Sequence, residues 1–119
     1  MSNIVQYIIV RSDLRSALSW PMGAVIAQCC HATAAVINLN SDDADTVAYL
    51  KDLDNMHKVV LEAKDEAALV KLSEKLKENE IKHKLWIEQP ENIPTCIALK
   101  PYVKDTVHKF VKSFKLLKE

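Results

Sequence analysis

The chain has 119 residues, 49% of them hydrophobic and 27% charged, with Lys+Arg and Asp+Glu balanced at 16 each. That length suits a single domain over 1–119 with a core of its own. The charge balance excludes a global positive field, so any contact with RNA has to come from a local patch.

IVQYIIV, residues 4–10, is β-branched, aromatic and nearly all apolar, which predicts a central strand covered on both faces. RSDLRSALSWPMG follows as a long mixed connection, and Pro21 suits a helix start just beyond it. Residues 24–39 read as a helix apolar on nearly every side, hence buried. SDDAD supplies a cap and an acidic first turn for a short helix over 43–54. KVVLEA, 58–63, is a second strand. DEAALVKLSEKLKENE is an amphipathic helix with Leu69, Leu72 and Leu76 on one stripe and Asn79 as its stop. HKLWIE, 83–88, is a third strand, QPENIP a loop, and TCIALKP a fourth strand stopped by Pro101. The last helix, 103–118, turns Val103, Val107, Phe110 or Val111, and Phe114 inward and carries Lys104, Lys109, Lys112, Lys115 and Lys118 outside. Those lysines read as a solvated face, with Lys82 and Lys84 able to extend a patch.

The order β-α-α-β-α-β-β-α predicts an α/β fold: one three-layer α/β/α domain with a mixed four-stranded sheet. No apolar run reaches membrane-spanning length and no leader-like stretch opens the chain, so no membrane partner is expected. Three cysteines, an odd count with two adjacent, argue against a disulfide framework and for a reducing, cytoplasmic setting. Gly23, the single glycine, marks one place where the backbone turns sharply or is closely approached.

AQCCHA, 27–32, holds the densest chemistry. Neighbours on a helix diverge by roughly 100°, so Cys29 and Cys30 cannot grip one ion from one face, and no zinc spacing occurs. A cysteine nucleophile needs a histidine within hydrogen-bond reach, which adjacency on a helix does not give; a distant His83 is the one alternative. The plainer reading makes Cys29 and Cys30 small core residues. Ala24, Gln28 and His31, at i, i+4 and i+7, share one helix face. Two polar side chains on a buried stripe either satisfy backbone groups or serve a function.

VRSDL, then Gly23, then AQCCHA resembles the signature of type II peptidyl-tRNA hydrolases: V-R-x-D-L, a glycine- and lysine-rich loop, then K-x-x-A-Q-x-x-H-A. KVVLEAKDEAAL and LWIEQPENIPTCIALKP are similar to later parts of that family in the right order. SWP, LWIEQPEN and TCIALKP are closer still to its divergent peptidyl-tRNA hydrolase domain-containing branch. The resemblance implies hydrolysis of the ester joining a peptide to the 3′ ribose of tRNA, with no metal or cofactor. It also implies tRNA or peptidyl-tRNA as partner, a mixed four-stranded sheet and a homodimer.

Carried over residue by residue, the family's helix glutamine falls on Gln28 and its histidine on His31. The late-loop aspartate falls on Glu88, a threonine on Asn92, and a second threonine on Thr95. These imply catalytic roles for Gln28, Glu88, Asn92 and Thr95. His31 and Asp13 fall at substrate-binding positions. The family lysine four residues before the glutamine falls on Ala24, and another falls on Met22, so both cations are missing. Arg15, on a longer connection than the family's, is the nearest replacement and a third substrate-binding candidate. Read without the family, Glu88 is a solvated strand-end charge and Asn92 a turn residue. Two functions result: a slow peptidyl-tRNA hydrolase-like esterase, or a non-catalytic tRNA- or protein-binding module on the same fold.

Overall fold

β1 (Ile4–Arg11) is apolar toward both sides and lies in the middle of the sheet, as its composition requires. The computed structural model of the protein describes residues 3–118. After β1 come α1 (Asp13–Ser16), α2 (Met22–Leu39), α3 (Ala44–Lys51), a 3-10 turn (Leu53–Asn55), β2 (Lys58–Ala63) and α4 (Glu66–Glu78). β3 (His83–Glu88), β4 (Ile93–Leu99), β5 (Tyr102–Val103), α5 (Lys104–Val111) and β6 (Lys115–Leu116) complete the chain.

The strands form one mixed sheet in the order β3-β4-β1-β2-β6, with β5 also paired to β1. β1 runs parallel to β2, with Tyr7 opposite Val59, and antiparallel to β4, with Ile9 opposite Ile97. One face carries Ile9, Ile97 and Leu99 against Leu69, Leu72 and Leu76 of α4 and Val107, Phe110 and Val111 of α5. The other carries Ile8, Val10, Cys96 and Ala98 against Val25, Ala32 and Val36 of α2, and Leu14 of α1. The layers are therefore α/β/α. α4 fits its sequence closely: Asp65 accepts from the Ala68 N–H as N-cap, and the Leu69, Leu72, Leu76 stripe is fully inside.

The sheet has six strands rather than four, and the element order differs accordingly. The chain resumes pairing after Pro101, where β5 adds Tyr102 and Val103 beside β1. The last helix ends at Val111 instead of running to 118. Beyond it, β6 sets Leu116 opposite Leu61 and covers the edge of β2. Val103 is exposed, not inward, because it is the N-cap of α5; Phe114 does pack on the core. α1 is one helical turn inside what read as a connection.

α2 is not buried all round. Only Val25, Gln28, Ala32 and Val36 are inside, while Met22, Ile26 and Leu39 are exposed. A helix in an outer layer meets the sheet along one stripe whatever its other faces carry. Cys30 is correspondingly exposed, whereas Cys29 is half-buried and packs against the α2-side core, where Cys96 is fully buried. Contrary to the sequence expectation, α2 is long and apolar enough to cross a membrane by length and composition; here its buried stripe lies on the sheet. Gly23 also departs from expectation: it sits in the first turn of α2, and a Cβ there would meet nothing within 4 Å. The left-handed positions belong to Ser19, Glu80 and Asn92, each with φ of 57°.

Candidate active site

Thr95 reaches its place through an irregularity. Along β3 and β4, Trp86 faces Cys96 but Ile87 faces Pro94, so Thr95 is an extra residue without a cross-strand partner. Strict alternation would turn Thr95 to the α4 side with Ile97 and Leu99. The bulge turns it to the α2 side, where its hydroxyl donates to Gln28 Oε1 at 2.9 Å. Both side chains are buried. Gln28 Nε2 donates to the Ala24 carbonyl at 3.1 Å. That carbonyl accepts only, so Nε2 must face it and Oε1 must face Thr95.

Trp86 and Glu88, two residues apart on β3, share the α2 face by the period of the strand. The Trp86 indole stacks on the His31 ring at 4.6 Å between centroids, inclined by 18°. Its Nε1 donates to Glu88 Oε1 at 3.0 Å. That hydrogen bond holds the Glu88 carboxyl below its ordinary value; partial burial opposes it, and the Gln28 amide and the field of His31 lower it further. The net balance favours the ionised carboxylate.

Gln28 and Glu88 meet in a cleft of about 290 Å³ completed by Trp20, Pro21, Ala24 and Glu91. It opens at the start of α2, which Pro21 caps without a side-chain hydrogen bond. The aligned peptide dipoles of an 18-residue helix thus point partial positive charge toward it. Among its lining residues there is no cation.

The structure brings Gln28, Glu88, Thr95 and His31 into one connected group. Asn92 stands apart. It occupies the left-handed position of the β3–β4 turn, its N–H donates to the Glu88 carbonyl at 2.7 Å, and its side chain accepts from Gln89. Asp13 spends both carboxylate oxygens on Arg11, at 2.9 Å each. Arg15 donates to the Trp20 carbonyl at 3.2 Å and borders a separate hollow. The lysines of α5 belong to the layer across the sheet, whereas Lys118 reaches the α2 side. Among the described residues no group of three or more His, Cys, Asp or Glu side chains is placed to hold a metal.

Three contributors were not singled out from sequence. Trp86 was visible in principle, being two residues before Glu88 on a strand. Trp20 enters the sequence reading only within SWP, as part of the resemblance and without a role. Arg11 is buried at the end of β1, paired to Asp13, 3.5 Å from Glu66, and bonded to the Pro94 carbonyl beside the bulge. It pins the strand ends that carry the site, and its sequence signal is the arginine of VRSDL, which the resemblance matches without giving it a role.

Comparison with known proteins identifies the family and the fold. The chain is 53% identical to the Mus musculus protein called "Putative peptidyl-tRNA hydrolase PTRHD1" over 116 residues, 97% of this chain and 83% of that protein. The Homo sapiens protein of the same name is 52% identical over the same spans. A solved structure from Agrobacterium tumefaciens, a protein of unknown function called Atu0240, shares the fold. It has a TM-score of 0.64 and 16% identity, covering 99% of this chain and 100% of that one. The sequence model of the family described as peptidyl-tRNA hydrolase PTH2 matches residues 4–117, nearly the whole length. The chain belongs to the peptidyl-tRNA hydrolase PTH2 family.

Proposed function

We propose that this chain hydrolyses the ester between a peptide and the 3′ ribose of tRNA, and that it does so slowly. The observation that carries the reading is the Thr95–Gln28–Glu88–Trp86 chain at the mouth of α2. Water has to be aimed at the ester carbonyl. The carbon–oxygen bond to the ribose then breaks, and the ribose oxygen takes up a proton. Glu88 is the acceptor that orients the water; its lowered pKa makes it a weak base, so positioning is its larger contribution. Thr95 fixes the Gln28 amide, and the uncapped start of α2 favours negative charge developing on the carbonyl oxygen. His31 acts through Trp86 by holding the indole flat. In this reading Asn92 and Asp13 position their loops, and Asn92 contributes by shaping the turn that delivers Glu88.

The slowness follows from Ala24, where the family resemblance puts a lysine. Losing one electrostatic donor costs about 10²–10³ in rate. A second reading, a non-catalytic tRNA- or protein-binding module, is favoured by the lack of a cation among the residues lining the cleft. Release of peptide from purified peptidyl-tRNA separates the two. The hydrolase reading expects measurable turnover that falls about 10²-fold or more in Glu88→Gln. No release above the spontaneous rate by the parent favours the module, and equal measurable rates for parent and Glu88→Gln remove Glu88 from the chemistry. The exposed Ile26 and Leu39 on α2 support the homodimer implied by the resemblance, and the free cysteines support a reducing, cytoplasmic setting.

A further inference from the structure

The candidate cleft has a neighbour. A larger hollow of about 810 Å³ is lined by Ser12, Arg15, Ser16, Ser19, Glu62 and Lys118, and it shares Trp20 with the cleft as a common wall. Charge divides between them. The cleft carries the carboxylates Glu88 and Glu91, which repel a phosphate, while the hollow carries the cations Arg15 and Lys118 against the single carboxylate Glu62. Trp20 is held firmly: its N–H donates to the Leu14 carbonyl at 2.8 Å and its carbonyl accepts from Arg15. Trp20 is partly buried against the α2-side core and lines both spaces.

We infer that the hollow is a nucleotide subsite, in which Trp20 stacks on the terminal adenine of tRNA while Arg15 and Lys118 bind that nucleotide's phosphate. The inference rests on the proposed esterase reading, which puts the ester in the adjoining cleft, and it deepens that reading by assigning the substrate's non-reacting end. The ester is attached to the ribose of the last nucleotide, so base, phosphate and ester must be held within one nucleotide's reach. Two hollows sharing one aromatic wall meet that requirement. An aromatic face accepts a base through its π-system, and basic side chains accept the backbone. Ser12, Ser16 and Ser19 add hydroxyls around the phosphate position.

The test uses a labelled RNA minihelix ending in CCA and the same RNA lacking its last adenosine, with affinity read by fluorescence anisotropy. The parent should bind the CCA end about 5- to 100-fold more tightly than the shortened end. Trp20→Ala should lose that discrimination, and Trp20→Phe should keep most of it, which also controls for misfolding. Charge reversal in Arg15→Glu or Lys118→Glu should weaken both RNAs and reduce the salt slope by about one. No discrimination by the parent, or an equal loss for both RNAs in Trp20→Ala, overturns the subsite. Peptidyl-tRNA cleavage with KM unchanged in Trp20→Ala overturns it too, while leaving the esterase reading intact. Adenosine-dependent binding through Trp20 in a protein without cleavage supports the subsite and removes the esterase reading instead.

Discussion

At the scale of single residues, the most sensitive link is the indole on Glu88. The Trp86 hydrogen bond is the main cause of the lowered Glu88 pKa. If the ionised carboxylate is the working form, activity is full above that lowered value and falls as pH drops through it. Trp86→Phe keeps a ring for His31 but removes the donor, so the Glu88 pKa rises. We expect the acid limb of the pH–rate profile to move to higher pH in Trp86→Phe; an unmoved limb assigns it to another group. Position 24 tests the rate itself. Ala24 lines the cleft one helical turn before Gln28, so Ala24→Lys puts a cation beside Glu88 and Glu91 in a partly dry space. Single-turnover cleavage should speed up about 10-fold or more, within the range one electrostatic donor supplies. A folded Ala24→Lys protein no faster than its parent counts against the missing cation as the cause of slowness.

At the scale of elements, what the sequence reveals depends on how local the cause is. α4 is legible because cap, stripe and stop all lie in one unbroken stretch from Asp65 to Asn79. β1 is legible because a doubly covered strand needs no polar alternation. α2 is legible in position but not in burial: composition reports what a helix can bury, and the neighbouring layers decide what it does bury. β6 is hidden because two residues carry no periodicity, and their pairing is set by the open edge of β2, over fifty residues earlier. The site divides the same way. Gln28 with Ala24 was readable from helix spacing, whereas Thr95 points at Gln28 only through a bulge that alternation argues against. The helical setting of Gly23 yields a prediction of its own. Its φ is not positive and the space beside it is open, so Gly23→Ala removes only unfolded-state freedom. Urea denaturation should show a gain of about 0.4–1 kcal/mol; a loss would mean that this turn of α2 is frayed rather than helical.

At the scale of the whole molecule, a buried cation ties distant parts together. Lys100, just past β4, is 5% exposed and lies 2.9 Å from Asp43, the N-cap of α3, and over the ring of Tyr102. Burial raises the Asp43 pKa, but Lys100 and the Thr46 N–H more than offset it, so the net shift is downward. A depressed folded pKa means that this stabilisation is full above the unfolded value and fades as pH falls through the folded one. Asp43→Ala should therefore cost about 2–3 kcal/mol at neutral pH, through the lost cap and a half-abandoned charge. The gap from the parent should narrow in urea titrations below the ordinary carboxylate range, and a gap that persists there would show that the carboxylate's charge is not what matters. The central position of β1 has a consequence in time. Gln6 donates to the Leu99 carbonyl, 93 residues away, and β4 is β1's antiparallel neighbour. During synthesis at about 5–20 residues per second, the apolar run IVQYIIV waits on the order of ten seconds for that partner. Through that interval the β-prone, uncharged strand destined for the centre of the sheet can pair only with β2 and leaves its β4 edge open, the kind of edge that adheres to other nascent chains. The same delay withholds Thr95 from Gln28, so a ribosome-bound fragment ending before β4 carries Gln28 and Glu88 without the hydroxyl that fixes the Gln28 amide.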